Sequence, residues 1–284
     1  MTNKNLMNIP WVESPLFNKI LNSININEEQ KNLALKFNRD GYVIIDLNLK
    51  DELIESLKKD VLQNNTKQQE SFYHYSDSPR VFEAWKESQA VRDIANHPKI
   101  LETIEFLYAR RTFPFQTINF IKGSNQPIHS DAIHFHTIPY NWVAASWVAL
   151  EDMDETNGTL VYCPTSHKLP IFDFKSLNLE PAKYGEQAEH YKKYEQFIED
   201  VIESNKFEKK AFIAKKGQAL IWSANLLHGG LKVIDTTRTR WSQATHYYFE
   251  GCEHYYAPMF SDPFNGKYSQ KDIASKNIRD YNIK

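Results

Sequence analysis

The segment Gln126-Pro127-Ile128-His129-Ser130-Asp131-Ala132-Ile133-His134-Phe135-His136 carries a His-x-Asp triplet between a short apolar approach and two further histidines. In extended backbone, residues two apart share a face, so His129 and Asp131 aim an imidazole and a carboxylate at one point. A neutral imidazole beside an oxygen anion suits a divalent first-row metal. One more imidazole would make a facial set of two His and one carboxylate with positions left open. The chain has ten His, so such a triplet arises readily by chance and the rest of the sequence has to supply the third ligand. His134 and His136 form a second pair two apart; in a strand that continued straight they would face away from His129 and Asp131.

Downstream, the run Gly217-Gln218-Ala219-Leu220-Ile221-Trp222-Ser223-Ala224-Asn225-Leu226-Leu227-His228-Gly229-Gly230 sets a lone His after a strand and before a glycine pair. Glycine at such a place lets backbone or ligand approach closely. The next run, Arg238 to Tyr247, alternates as a strand, and Arg240, Ser242, Ala244 and His246 share one face. A guanidinium turned inward among small residues needs an anionic partner. A planar carboxylate held by two parallel hydrogen bonds satisfies it. Arg238 is the alternative for that role, and it also reads as a surface residue near a strand end.

The composition sets the frame. The chain has 284 residues, 41% hydrophobic and 25% charged, enough for a substantial core without staples. Its 34 basic and 36 acidic residues leave a net charge of −2 with no basic block, which argues against nucleic acid or an anionic membrane as partner. Cys163 and Cys252 match neither a disulfide framework nor a zinc-finger spacing, which fits a reducing compartment. The start of the chain has no apolar h-region and no apolar run approaches 18 residues, so the expectation is a soluble, cytoplasmic protein.

In chain order, residues 1–26 are expected to drape over the surface. A helix over 28–38, stopped by Gly41, leads into a strand over 42–46, and an amphipathic helix spans 51–62. A polar loop follows, with Tyr73, His74 and Tyr75. A long helical stretch runs over 81–107, broken near Pro98, before a strand over 115–121. The apolar run 142–150 reads as a buried strand, and Asn157-Gly158 as a hairpin turn into a return strand over 159–163. Residues 168–209 form a charged insertion with a helix over 186–204, and strands over 209–214, 218–222 and 238–250 close the pattern. Helices early and short strands late predict an α+β protein with an antiparallel β core, in one domain over 1–284 with a tail from 258.

His129-x-Asp131, Trp147 to Asp152, Asn157-Gly158-x-Leu160, Pro164-Thr165-Ser166-His167, His228-Gly229 and Arg240 occur in that order, and the set resembles the phytanoyl-CoA dioxygenase family of Fe(II)/2-oxoglutarate oxygenases. Phe37-x-x-x-Gly41-Tyr42-Val43-Ile44 is similar to that family's entry helix and strand, so the resemblance covers roughly residues 30–250. It implies a double-stranded β-helix (a jelly-roll, cupin-like barrel) flanked by N-terminal helices and a helical insertion, with a catalytic core over about 27–250. It implies Fe(II) on His129, Asp131 and His228, the C5 carboxylate of 2-oxoglutarate on Arg240, and Trp147 and Thr117 at the cosubstrate. O₂ is the other reactant, and succinate and CO₂ are the coproducts. In related halogenases a small residue replaces the carboxylate, so Asp131 favours hydroxylation, while desaturation, epoxidation and ring formation use the same triad.

Two positions depart from the family pattern. Gly230 stands where some members carry a Ser that helps bind cosubstrate, and Thr165 replaces the Gly of a Pro-Gly-Ser-His loop. Gln126, His134, His136, Tyr73, His74 and Tyr75 are the expected contacts for a small-molecule substrate, with 168–209 as a lid. An acyl-CoA or lipid substrate, a metal-dependent hydrolase and a non-catalytic binding module are the competing expectations.

Overall fold

The computed structural model describes residues 8–64 and 80–281, so the expected contacts Tyr73, His74 and Tyr75 lie outside the described residues. Helices α1 (Phe17–Leu21) and α2 (Glu28–Asp40) precede β1 (Tyr42–Asp46), and α3 (Asp51–Asn64) follows it. Then come β2 (Arg80–Phe82), α4 (Gln89–Ala95), α5 (Pro98–Tyr108) and β3 (Thr112–Phe120). Strands β4 (His136–Ile138), β5 (Val143–Ala149) and β6 (Leu160–Tyr162) come next, with α6 (Ala188–Asn205) in the insertion. Strands β7 (Lys210–Ala211), β8 (Gln218–Ser223), β9 (His228–Gly230), β10 (Ser242–Phe249) and β11 (His254–Tyr256) complete the order.

The entry helix shows why these residues fold locally as they do. Asn27 caps α2 by accepting from Gln30 N–H at 2.8 Å while Gln30 Oε1 accepts from Asn27 N–H at 3.2 Å, a reciprocal capping box. Glu28 and Glu29 place negative charge at the positive end of the helix. Gly41 ends it with φ 82°, and its missing Cβ makes room for the His167 ring, which would stand 2.4 Å from such an atom.

A six-stranded antiparallel sheet in the order β1-β8-β5-β10-β3-β2 faces a three-stranded sheet in the order β7-β6-β9, as the jelly-roll expectation requires. Strand alternation sends Trp147, Trp222 and Ala244 inward against Leu160, Tyr162 and Phe212. The outward residues Val43, Ala144, Val148, Ile221, Tyr247 and Phe249 pack under the N-terminal helices. The site therefore sits between the sheets, with a helical layer keeping the larger one rigid.

Several local expectations fail for identifiable reasons. The start of the chain does not drape: Trp11 and Val12 are fully buried, and Trp11 donates its indole N–H to Phe106 O at 3.0 Å. The stretch from Val81 is not one helix, because Arg80–Phe82 pairs with Ile118–Phe120 as an edge strand before α4 begins. The turn at Asn157-Gly158 is not a hairpin either; β6 crosses to the facing sheet and pairs with β9 and β7. Thr165 keeps the left-handed turn expected of glycine, at φ 73°, a conformation that strains a β-branched residue.

Glu13 lies where the N-terminal segment meets the sheet. Its carboxylate accepts from Ser223 Oγ–H at 2.6 Å and from Tyr108 O–H at 3.4 Å. Burial outweighs these hydrogen bonds and raises the group from 4.5 to about 7. The protonated form is the one the fold favours, so this contribution is fully present below about 4.5 and is lost as pH rises through about 7. Thermal melts should show Glu13→Gln melting no lower than wild type at pH 8, with its advantage shrinking as pH falls to 5.5. Parallel melting curves across that range would exclude this role for Glu13.

Candidate active site

Two chain segments meet to form the site. His129 and His228 exchange both backbone hydrogen bonds, N–H to O at 2.9 Å in each direction, as an antiparallel bridge at the first residue of β9. The bridge sets the two imidazole rings 4.7 Å apart between centroids, tilted 47° to one another. Asp131 opens a 3₁₀ turn over Asp131–Ile133, after Ser130 in extended backbone caps that turn with its hydroxyl. The chain thus bends immediately after His-x-Asp and does not continue straight.

Ligand atoms of His129, Asp131 and His228 lie within 4.8 Å of one another, and all three residues are buried. His129 Nδ1 faces Pro127 O at 2.9 Å and His228 Nδ1 faces Leu226 O at 2.9 Å. Those carbonyls take the ring protons and leave both Nε2 lone pairs aimed at one centre, the arrangement metal-binding imidazoles use. Trp222 donates its indole N–H to Asp131 Oδ2 at 3.0 Å, which fixes the carboxylate. Burial, followed by His228, drives the His129 imidazole well below its ordinary value, toward the neutral form a metal needs. Burial works to raise the Asp131 carboxyl, but His228 and His246 outweigh it and hold it well below the usual carboxylate range. Two imidazoles whose Nδ1 atoms face carbonyls, together with a carboxylate, fit a divalent first-row metal.

Arg240 lies in the same cavity, 2% exposed. One of its terminal N–H groups donates to Ser242 Oγ at 2.9 Å, while its Nε is buried without a partner. Its guanidinium sits over the rings of Phe120 (4.8 Å) and Trp147 (5.4 Å) and has no ion-pair partner among the described residues. Burial, with repulsion from Arg80, lowers it to about 9, so it keeps its proton at neutral pH. Glu151 accepts from Trp241 N–H and Thr239 Oγ–H and so holds the turn that aims Arg240 inward. Arg238, the alternative clamp, is instead engaged by Asp154 at the surface.

The other expected residues divide. Trp147, Gln126 and His134 line the cavity. Gln126 directs its amide at His129 Nε2 from 3.2 Å, and His134 Nε2 contacts Tyr191 Oη on α6 at 2.9 Å. The bend after Asp131 brings the His134 ring to 5.9 Å from His129, not to the far side. Thr117 is a correction: β3 turns Gln116, Ile118 and Phe120 into the cavity and Thr117 onto the helix-covered face. His136 is another, since β4 carries it away from the cavity to stack on Tyr140 at 5.2 Å and against Tyr256. From the insertion, only Tyr184 and Gln187 reach the cavity wall.

His246 and Ser124 are residues that sequence reasoning left without a role. His246 Nε2 stands 3.4 Å from Asp131 Oδ1; its place on the Arg240 face of β10 was a usable signal. Ser124 has its hydroxyl 2.6 Å from where a Cβ on Gly230 would be. The Ser124 hydroxyl thus fills the space a side chain at position 230 would need. Gly229 is required more strictly, because a Cβ there would meet Gln126 O at 2.7 Å and Ile128 N at 3.0 Å.

A jelly-roll barrel with two imidazoles and a carboxylate converging on its inner wall is the framework of the 2-oxoglutarate-dependent non-haem iron oxygenases. The phytanoyl-CoA dioxygenase (PhyH) family model matches residues 37–240, and the chain belongs to that family. The bovine peroxisomal phytanoyl-CoA dioxygenase is 29% identical over 108 residues, which make up 38% of this chain and 29% of the bovine protein. The chain therefore matches under a third of that curated relative's length. Among solved structures, the α-ketoglutarate-dependent epimerase SnoN of nogalamycin biosynthesis superposes with a TM-score of 0.59 at 19% identity, covering 86% of this chain and 94% of its own. The carbocyclase SnoK from the same biosynthesis gives 0.63 at 15% identity, covering 80% and 86%. At these identities the likeness is one of fold.

Gly229→Ala should separate the two ligand segments. Melts should show a loss on the order of 1–3 kcal/mol, as for overpacked cores, and calorimetric titration should show at least a tenfold weaker divalent-metal affinity. Wild-type values in both measurements would rule out the close approach as a requirement.

Proposed function

We propose that the chain is an Fe(II)- and 2-oxoglutarate-dependent dioxygenase that hydroxylates a small-molecule substrate, releasing succinate and CO₂. The observation that carries this reading is one cavity holding both the His129–Asp131–His228 set and a buried Arg240 without a counter-ion among the described residues. In this reading His129, Asp131 and His228 hold Fe(II), which with 2-oxoglutarate and O₂ supplies the oxidising chemistry.

The residues do the positioning. Arg240 binds the C5 carboxylate of 2-oxoglutarate, with Ser242 and the Phe120 and Trp147 rings fixing the guanidinium plane. The Ser124 hydroxyl lies beside the same channel. Trp222 keeps Asp131 from rotating, and an intact carboxylate there leaves no halide position. Gln126 stands at the mouth of the metal centre, where its amide is released once His129 Nε2 is engaged. Leu160, Phe120 and Ile118 exclude water around it. The cavity measures 310 Å³, near the small end of the roughly 300–1,000 Å³ typical of ligand pockets, which favours a small metabolite over an acyl-CoA. A hydrolase built on the same metal set would have no use for the buried Arg240.

Asp131→Ala and Arg240→Ala should each abolish 2-oxoglutarate turnover, read as succinate released by purified protein with Fe(II) in air. Wild-type-like succinate formation in either variant overturns the assignment. Mass spectrometry of a converted substrate should show the gain of one oxygen atom.

A further inference from the structure

Besides Arg240 and its neighbour Arg80, both over the Phe120 ring, the cavity wall carries a third cation, Lys271, with no carboxylate partner among the described residues. Lys271 comes from the tail beyond β11, a part of the chain with little sequence pattern. The tail rejoins the barrel through a Tyr256–Gln270 bridge, and Lys271 N–H donates to Tyr255 O at 2.7 Å, so its backbone is held in place. Its ammonium lies 5.4 Å from the Phe135 ring centroid and faces the cavity with Gln116 and His134. The Phe135 ring is 4.7 Å from His246, whose Nε2 is 3.4 Å from Asp131. Lys271 therefore stands one ring beyond the triad on the His246 side. Arg240 precedes His246 by six residues of extended chain, roughly 20 Å at strand spacing. Lys271, beside Phe135, and the Arg240–Arg80 pair, over Phe120, therefore occupy different parts of one cavity wall.

The acids near Lys271 are already engaged. Glu83 is held by Lys276 at 2.8 Å and by Lys86, and no carboxylate among the described residues pairs with Lys271. Burial, reinforced by Lys276 against the pull of Glu83, lowers the Lys271 amine to about 8, so it is still mostly charged at neutral pH. A half-buried ammonium without an anion is costly, and a bound anion relieves that cost. One point charge beside an aromatic ring, with the amides of Gln116 and Gln187 also on the wall, suits a singly charged planar group. Phosphate is usually gripped by several donors at once or by a nest of backbone N–H groups.

We infer that the substrate is a small carboxylic acid whose carboxylate pairs with Lys271 and whose carbon skeleton lies along Phe135 toward the triad. This rests on the oxygenase reading above: the cosubstrate occupies the Arg240 part of the wall and leaves the Lys271 part to the substrate.

Two measurements separate the inference from its parent. Calorimetric titration of the Fe(II)-loaded wild type with 2-oxoglutarate under argon comes first; no binding overturns the oxygenase reading and this inference with it. Where 2-oxoglutarate binds, metabolite pools sorted into carboxylic acids, neutral compounds and amines are tested for stimulation of succinate release. The expected result is stimulation by the acid pool alone. For the active compound, Lys271→Met should raise KM roughly ten- to hundredfold, the worth of a hydrogen bond to a charged group. Lys271→Arg should recover most of that loss, and the compound's primary amide should be a poor substrate for wild type. Stimulation from the neutral or amine pool, silence of the acid pool, or an unchanged KM in Lys271→Met overturns the inference while leaving the oxygenase reading standing.

Discussion

The site depends on the pair of backbone hydrogen bonds between His129 and His228. Each is an ordinary 2.9 Å N–H···O contact, yet together they bring two segments far apart in sequence into register. Side-chain direction follows from that register: with both Nδ1 atoms against backbone carbonyls, both Nε2 atoms have one place to point. Gly229 is what lets the segments come this close, since a backbone oxygen lies where its side chain would begin. The bridge is in turn braced from below. Ser130 Oγ donates to Asn225 Oδ1, Asn225 donates to the carbonyls of His167 and Leu169, and the Leu227 N–H is accepted by Ser166 Oγ. The Pro164–His167 loop is thereby a structural clasp and not a ligand-binding loop.

Above this frame the electrostatics are left incomplete. Arg240 Nε and His246 Nδ1 are buried without partners, in a class of atoms that folded proteins nearly always satisfy. Both belong to residues that line the cavity, as does Lys271. Buried donors and charges that find no partner among the described residues are accounted for most simply by partners that arrive with ligands. The fold tolerates them because the surrounding layers are well packed: Trp147 and Trp222 on the inner face, and the Trp11, Trp85 and Tyr108 cluster under the helices.

Sequence reading was strongest where local chemistry decides conformation. The helix stop at Gly41 and the alternation through Arg240, Ser242, Ala244 and His246 are short-range effects, and each appears as the pattern predicts. It was weakest where partner choice decides. Arg80–Phe82 has no strong strand signal of its own and becomes a strand because the edge of β3 is available. Asn157-Gly158 carries a sound turn signal, but whether the outgoing strand returns to β5 or crosses to β9 depends on what fills the barrel. Thr117 was misassigned by one residue of strand phase, and a single step in a strand exchanges cavity for helix-covered face.

The β-rich architecture and the shared face of Arg240, Ser242, Ala244 and His246 follow in the sequence from residue chemistry and from a strand period of two, whereas the ligand set and the part given to Arg240 came from the ordered motifs that resemble the family. Only the tertiary structure decided which histidines share the cavity. A 3₁₀ bend after Asp131 returns His134 to the centre and sends His136 outside, a turn that no alternation rule contains. It likewise sets Arg238 and Arg240 in different surroundings, because an acidic partner at the surface engages the former and none among the described residues reaches the latter. Lys271 belongs wholly to the tertiary level: nothing in its own stretch marks it, and its position comes from the tail closing back across the barrel mouth.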